Sequence, residues 1–264
     1  MDLRVAAAKA AIGLKKLFDK NSIPFCSAII TAAGSGTRMG GVSKQFIELN
    51  GKKTVLYSLE AFGNCDYVKE IVVTARADEV EKMKETVGEF YASKPVKVVA
   101  GGKTRQESVE NAFFALDKKC GCVAIHDAAR PLVTSSDAKL LFEEAFRYGA
   151  ATAAYPVADS MKKVDGNLFL ASDADRDGVW AVQTPQVFLC DVYKAALAVA
   201  RRDSLEVTDD NSIVTHAGFS VKAVNTGNKS FKLTSPEDVG LIEALLVKRK
   251  EENIDNSTIT EETI

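Results

Sequence analysis

Histidine is nearly missing from this chain: His126 and His216 are the two among 264 residues. Cysteine is sparse and odd in number, with Cys26, Cys65, Cys120, Cys122 and Cys190, and just one close pair. A zinc site calls for paired C-x-x-C spacing or a histidine cluster, and neither is here. A disulfide scaffold is excluded too, so the thiols read as reduced core residues of a cytosolic protein. No apolar run approaches the roughly 18–20 residues of a membrane span. Charge of one sign is not in excess either: 34 Lys and Arg face 36 Asp and Glu. Such balance argues against a protein that neutralises phosphates along a nucleic acid, though a local basic pocket for a small phosphorylated ligand stays open. No internal repeat is visible.

What is present suits one large α/β domain: 46% of residues are hydrophobic and 27% charged. Residues 1–22 form an expected N-terminal helical extension, apolar at Leu3, Ile12, Leu17 and Phe18 and basic at Lys9, Lys15, Lys16 and Lys20. It has no long apolar stretch and no cleavage site, so it is not a secretory signal. The absence of an export signal gives a cytoplasmic expectation.

From residue 23 to 250 the pattern alternates. Strands are predicted at 25–31, 68–75, 95–100, 121–127, 150–157, 179–188 and 219–224. Between and after them helices are predicted at 53–62, 77–92, 105–118, 136–148, 190–202, 208–216 and 236–250. Short apolar runs such as FCSAIIT fit strands buried on both faces, and the β-α rhythm predicts a mostly parallel twisted sheet with helices on both faces. The rhythm breaks at about 157–179, where MKKV-DG-NLFL predicts a hairpin with a polar tip that protrudes as a β-arm. The last residues, 251–264, lack apolar periodicity and predict a mobile acidic tail.

The segment AAGSGTRMGGVSKQF (32–46) leaves the first strand, where an open α/β sheet places its ligand. Gly34 and Gly36 let the backbone turn its N–H groups toward an anion, and Arg38 and Lys44 add two fixed cations. That chemistry suits a polyphosphate. A dinucleotide G-x-G-x-x-G would need glycine at Met39, and a Walker loop would need lysine at Val42, so both motifs fail. In HDAARP, Asp127 ends a strand, where a carboxylate either holds Mg²⁺ beside phosphate oxygens or serves as a cap or an ion partner of Arg130. His126 is placed as a structural residue rather than a general base. GGKTRQESV offers backbone amides around Gly102 and a hydroxyl at Ser108 for a base or ribose. In SPED, Ser235 and Pro236 read as a helix start.

The ordered set AAGSGTRMG, KQF, RQESV, HDAARP, PVADSMKKVD, QTPQVF and FKLTSPED spans nearly all of 26–245. It resembles the 2-C-methyl-D-erythritol 4-phosphate cytidylyltransferase family. The resemblance implies a Rossmann-like nucleotidyltransferase fold, Mg²⁺, and a homodimer completed by the arm. It implies that CTP and methylerythritol phosphate give the cytidine-diphosphate derivative and pyrophosphate. Arg38 and Lys44 are then expected at the α-phosphate. Ala32, Ala33, Gly34 and Gly36 are expected around triphosphate and base, with Gly102 and Ser108 holding cytidine. Asp127 is expected to organise Mg²⁺ and sugar phosphate with Arg130 nearby, and Arg176 and Lys232 to position the methylerythritol phosphate. Ser160, Thr184 and Thr208 match hydroxyl positions around that substrate, Ser160 and Arg176 being lent across the dimer.

Three positions depart from the family pattern. Ser43 replaces a frequent proline and predicts a less rigid loop. Ser160 replaces threonine but keeps the hydroxyl. Lys103 replaces a common acidic residue, which removes the basis for a side-chain contact with the cytosine amino group. Rival readings are a ribitol 5-phosphate cytidylyltransferase, an NAD-dependent oxidoreductase, which the broken fingerprint disfavours, and a catalytically silent nucleotide-binding protein.

Overall fold

The computed structural model describes residues 23–34, 41–89, 94–173 and 177–261. The expected N-terminal helix at 1–22, together with Gly36, Arg38 and Arg176, lies outside the described residues. A seven-stranded sheet forms the body. Its first strand, β1 (Phe25–Ala32), buries successive residues Ala28, Ile29 and Ile30 completely. That is possible only with both faces covered, and it explains why the sequence runs apolar without alternation.

The chain next makes a small ribbon, β2 (Glu48–Leu49) with β3 (Lys52–Lys53), and then α1 (Thr54–Gly63). β4 (Val68–Ala75), α2 (Val80–Gly88), β5 (Val96–Ala100), α3 (Arg105–Phe114) and β6 (Cys120–Asp127) follow. β1 pairs in parallel with β4 on one side and β6 on the other, so the chain winds from β1 out through β4 and β5 and then crosses back to place β6 on the opposite edge of β1. α4 (Ser135–Tyr148) starts on a reciprocal capping box between Thr134 and Asp137 and stops at Gly149, whose φ of 91° supplies the left-handed turn.

β7 (Ala150–Pro156) leads out to a two-stranded hairpin of β8 (Lys162–Val164) and β9 (Leu170–Asp173). β10 (Trp180–Leu189) returns between β7 and β6, antiparallel to both. α5 (Cys190–Arg202), α6 (Asp210–His216), β11 (Lys222–Asn225) and α7 (Asp238–Glu261) complete the chain. The sheet order is β11-β7-β10-β6-β1-β4-β5.

Four expectations need correcting. The hairpin does not turn on a two-residue Asp165-Gly166 loop. Asp165 Oδ1 accepts the N–H groups of Asn167 and Phe169, at 2.9 and 3.0 Å, which closes a wider turn. Its tip is apolar rather than polar: Leu168 and Phe169 are 82% and 71% exposed. The helix expected from 236 starts at Asp238, whose carboxylate reaches back to the N–H groups of Thr234 and Ser235 at 2.7 and 2.8 Å. That helix also runs to Glu261, past the end expected at 250, because neither proline nor glycine interrupts residues 241–261.

A second, smaller core fixes the C-terminal helix. Leu49, Tyr57, Leu132, Leu233, Ile242 and Leu246 bury one another. At about 1.5–3 kcal/mol for each large side chain, the three from the C-terminal segment tie it firmly to the body. Leu233 N–H also donates to Ala129 O at 2.7 Å.

Candidate active site

Between β1 and β6, where the winding of the sheet reverses, a crevice must open at the carboxyl ends of the strands. The cavity found there measures about 400 Å³. Thr31, Ala32, Ala33 and Gly34 line it from β1, Thr74 from β4, and Asp127, Ala128 and Ala129 from β6. Lys44 and Gln45, residues 102–105 with Ser108, and Lys232 close the sides.

The glycine pair before α3 is demanded by space. A Cβ on Gly101 would lie 2.6 Å from Ala33 Cβ, and one on Gly102 would lie 2.3 Å from Glu107 Cβ. Ser108 braces this turn: its hydroxyl accepts Gly102 N–H at 3.0 Å and donates to Thr104 O at 2.8 Å. Lys103 is held through its backbone, whose N–H donates to Glu107 Oε2 at 2.6 Å.

Lys44 opens a single 3-10 turn and donates from Nζ to Thr234 O at 2.8 Å, joining the first loop to the C-terminal segment. The looser loop expected from Ser43 is countered at that residue. Its hydroxyl donates to Glu79, and Gln45 Nε2 donates to the other oxygen of the same carboxylate at 2.9 Å.

Asp127 is the electrostatic centre. Lys232 Nζ donates to its Oδ2 at 2.6 Å, Arg105 Nη2 lies 3.5 Å from Oδ1, and Arg130 Nε lies 3.9 Å from Oδ2. Thr31 adds a hydroxyl donor at 3.2 Å. Burial would raise the carboxyl pKa, but Lys232, then Arg105 and Arg130, hold it well below the usual carboxylate range. The expected Arg130 pairing is therefore present, within a larger cationic clasp.

Behind Asp127 the hydrogen bonds fix one protonation state. Arg130 O can only accept, so His126 Nε2, 3.2 Å away, carries the proton. His126 Nδ1 then accepts from Thr184 Oγ1 at 3.0 Å, and the same hydroxyl accepts Asp127 N–H at 3.1 Å. Burial pushes the His126 pKa down to about 4, so the ring is neutral at pH 7. It is the structural histidine that the sequence suggested.

Sequence reasoning missed the support of Arg105. Its Nη1 donates to Asp210 Oδ2 at 2.7 Å. Tyr193 Oη donates to Asp210 Oδ1 at 2.6 Å, and Asp210 N–H donates to Gln186 Oε1 at 3.0 Å. Burial disfavours the Arg105 charge, yet Asp210 and Asp127 raise its pKa above the ordinary arginine value. The signal was the pair Asp209-Asp210. One acid at a helix start reads as a cap, which Asp209 is, accepting Ser212 N–H at 2.9 Å. The second acid was surplus and pointed inward.

Of the predicted residues, Ala32, Ala33, Gly34, Lys44, Gly102, Ser108, Asp127 and Lys232 converge on the cavity. Arg130 and Thr184 stand behind Asp127. Thr208 is exposed just before the Asp209 cap, and Ser160 is exposed at the foot of the hairpin, so neither reaches the cavity within this chain.

A mostly parallel sheet with a cation-rimmed, glycine-lined cavity at its switch point defines a nucleotidyltransferase-type α/β enzyme. Solved structures agree. A 4-diphosphocytidyl-2C-methyl-D-erythritol synthase from Anaerococcus prevotii superposes with TM-score 0.75 and 27% identity, covering 84% of this chain and 96% of that one. A 2-C-methyl-D-erythritol 4-phosphate cytidylyltransferase from Thermus thermophilus gives 0.70 and 31%, covering 84% and 98%. A protein of that name from Caldanaerobacter subterraneus subsp. tengcongensis is 41% identical over 224 residues, 84% of this chain and 99% of the relative. The family model for 2-C-methyl-D-erythritol 4-phosphate cytidylyltransferase matches residues 26–248, and the chain belongs to this family.

Proposed function

We propose that the chain transfers the cytidylyl group of CTP to the phosphate of 2-C-methyl-D-erythritol 4-phosphate and releases pyrophosphate. Family membership carries the substrate pair, and the clasp of Asp127 by Lys232, Arg105 and Arg130 at the cavity carries the mechanism. The family and its relatives favour methylerythritol phosphate over ribitol 5-phosphate as acceptor.

A phosphate monoester has a second pKa near 6, so the attacking oxygen is already anionic at neutral pH and needs no general base. The barrier is repulsion between two polyanions. Lys44 and Arg38 stabilise charge at the α-phosphate, while the backbone of Ala32, Ala33, Gly34 and Gly36 cradles the triphosphate. Gly102 and the Ser108-braced turn hold the cytidine. Lys232 and Arg176 orient the sugar phosphate for in-line attack, with Arg130, Thr184, Thr208 and Ser160 around it.

Magnesium takes one or two carboxylates and completes its shell with waters and substrate phosphates. Asp127 is one ionised, buried carboxylate on the cavity wall, and among the described residues no cluster of three acidic, His or Cys side chains suits an ion. That donor set fits an ion arriving with the triphosphate: Asp127 would hold it, and it would supply neutralisation of phosphate charge.

The segment 157–179 serves as the dimerisation arm and lends Ser160 and Arg176 to the partner's cavity. Its exposed Val164, Leu168, Phe169 and Leu170 support that reading. Among the described residues no helix is long and apolar enough to cross a membrane.

Pyrophosphate release, measured across nucleotides and sugar phosphates with Mg²⁺ present, tests the proposal. Release from CTP that depends on methylerythritol phosphate is expected. Equal release with ribitol 5-phosphate, or none from any pair, overturns it.

A further inference from the structure

At the end of β6 remote from Asp127, cysteines gather. Cys120 opens β6, Cys190 opens α5, and Cys26 faces Cys122 across the β1–β6 register. Cys26 and Cys122 are fully buried, whereas Cys120 and Cys190 are partly exposed. The Cys190 thiol donates to Cys120 Sγ at 3.4 Å. Among the described residues no cluster of metal-ligating side chains is formed, so these thiols are not a metal centre.

We propose that Cys120 and Cys190 are a reversible redox site, a dithiol that hydrogen peroxide converts to a disulfide and a small dithiol reductant restores. The geometry is close to that of the bond. A disulfide spans about 2.05 Å, so the sulfurs have roughly 1.4 Å to close. The β10–β6 ladder ends on the pair Leu189 and Cys122; Cys190 follows Leu189 as the first residue of α5, and Cys120 lies two residues before Cys122 on β6, so both thiols meet at the same end of that ladder.

The chemistry assigns unequal roles. The hydrogen bond from Cys190 lowers the Cys120 pKa against the effect of burial, and the same bond, with burial, raises that of Cys190. The Cys120 thiolate attacks one peroxide oxygen; an S–O bond forms, the O–O bond breaks, and the departing hydroxide takes the Cys190 proton as water. The Cys190 thiolate then attacks the Cys120 sulfur. The S–S bond forms, the S–O bond breaks, and the second hydroxide leaves as water with the proton Cys120 gave up. The sulfur pair loses two electrons and one peroxide is reduced to two waters. Eight residues of β6 set this pair roughly 23 Å from Asp127, so the readout is separate from turnover and from the proposed function.

The full-length reduced protein is treated with hydrogen peroxide without denaturant, then unfolded, alkylated with maleimide and weighed intact. Two of five alkylations should be lost, a peptide map should join Cys120 to Cys190, and dithiothreitol should restore all five. Cys120→Ser and Cys190→Ser should each abolish the link, while Cys65→Ser leaves it. Should Cys120→Ser fold poorly, dimedone labelling of Cys120 in Cys190→Ser under peroxide serves instead; should Cys190→Ser fold poorly, the wild-type peptide map and its reversal by dithiothreitol carry the test. Five retained alkylations, a link between other cysteines, or no dimedone label on Cys120 in folded Cys190→Ser overturns the proposal.

Discussion

Lowering the pH from 7 to 5 should weaken the fold by about 2 kcal/mol through His126. The ring is completely buried, and both nitrogens are engaged in a pattern that only the neutral form satisfies. In the unfolded chain a histidine titrates near 6.5, whereas in the fold this one is pushed down to about 4. Below 6.5 the unfolded state therefore takes up a proton that the native state refuses. The stability from His126 is fully present above that value and falls as pH drops. The loss is about 2 kcal/mol at pH 5 and levels off near 3 kcal/mol below pH 4. Asp127 acts in a different window: its depressed carboxyl contributes stability that starts to be lost only below about pH 4. Urea unfolding at pH 7, 6 and 5, in chelator, should show the wild type losing about 2 kcal/mol more than His126→Gln over that range. Absolute stability of the variant will be lower; the pH slope is the readout. Parallel slopes would refute the buried, neutral ring.

Four further outcomes follow from the geometry. Lys44→Ala should lower kcat about 10²-fold or more, by loss of a fixed cation at the reacting phosphate; steady-state turnover within a few fold of wild type contradicts that role. Asp210→Asn should reduce kcat/KM for CTP by roughly 10- to 100-fold, since a hydrogen bond to a charged group contributes about 1.5–3 kcal/mol. Unchanged kinetics would show that Asp127 alone holds Arg105. Gly102→Ala should destabilise the protein by about 1–3 kcal/mol and raise the KM for CTP, because the added methyl meets Glu107; equal melting temperatures would count against the close approach. Replacing residues 160–176 by a short Gly-Ser loop should yield monomers in sedimentation that bind CTP but fail with methylerythritol phosphate. A truncated protein that stays dimeric would remove the arm's assigned purpose.

The body of the fold was readable because its signals are local. β4 has the predicted bounds, 68–75, and the other sheet strands were located within a few residues, since apolar runs and helical spacing mark them directly. Errors fall where a single side chain decides. Asp165 widened the hairpin turn by bonding two amides, and Asp238 moved a helix start by two residues. The long helix expected at 77–92 became a 3-10 turn at 77–79 followed by Val80–Gly88. In the site, the glycine turns and Asp127 were legible from their place after strands. The Arg105–Asp210 bridge was not, because it joins positions 105 residues apart that only the folded sheet brings together. Thr184 shows the same limit: the family resemblance pointed to its hydroxyl, but its bonds to His126 Nδ1 and Asp127 N–H join positions 57 or 58 residues away that only the fold brings together.

The seat of α7 has a consequence for how the enzyme can fail. Lys232 sits immediately before Leu233, which belongs to the small core that anchors the terminal helix, and Lys44 grips Thr234 just beyond. Wear at the far end of the polypeptide, by a protease or a premature stop, would first loosen the seat of Lys232 and Lys44 while the sheet stays intact. With the roles proposed for those two cations, early damage there should look like poor substrate capture before it looks like unfolding.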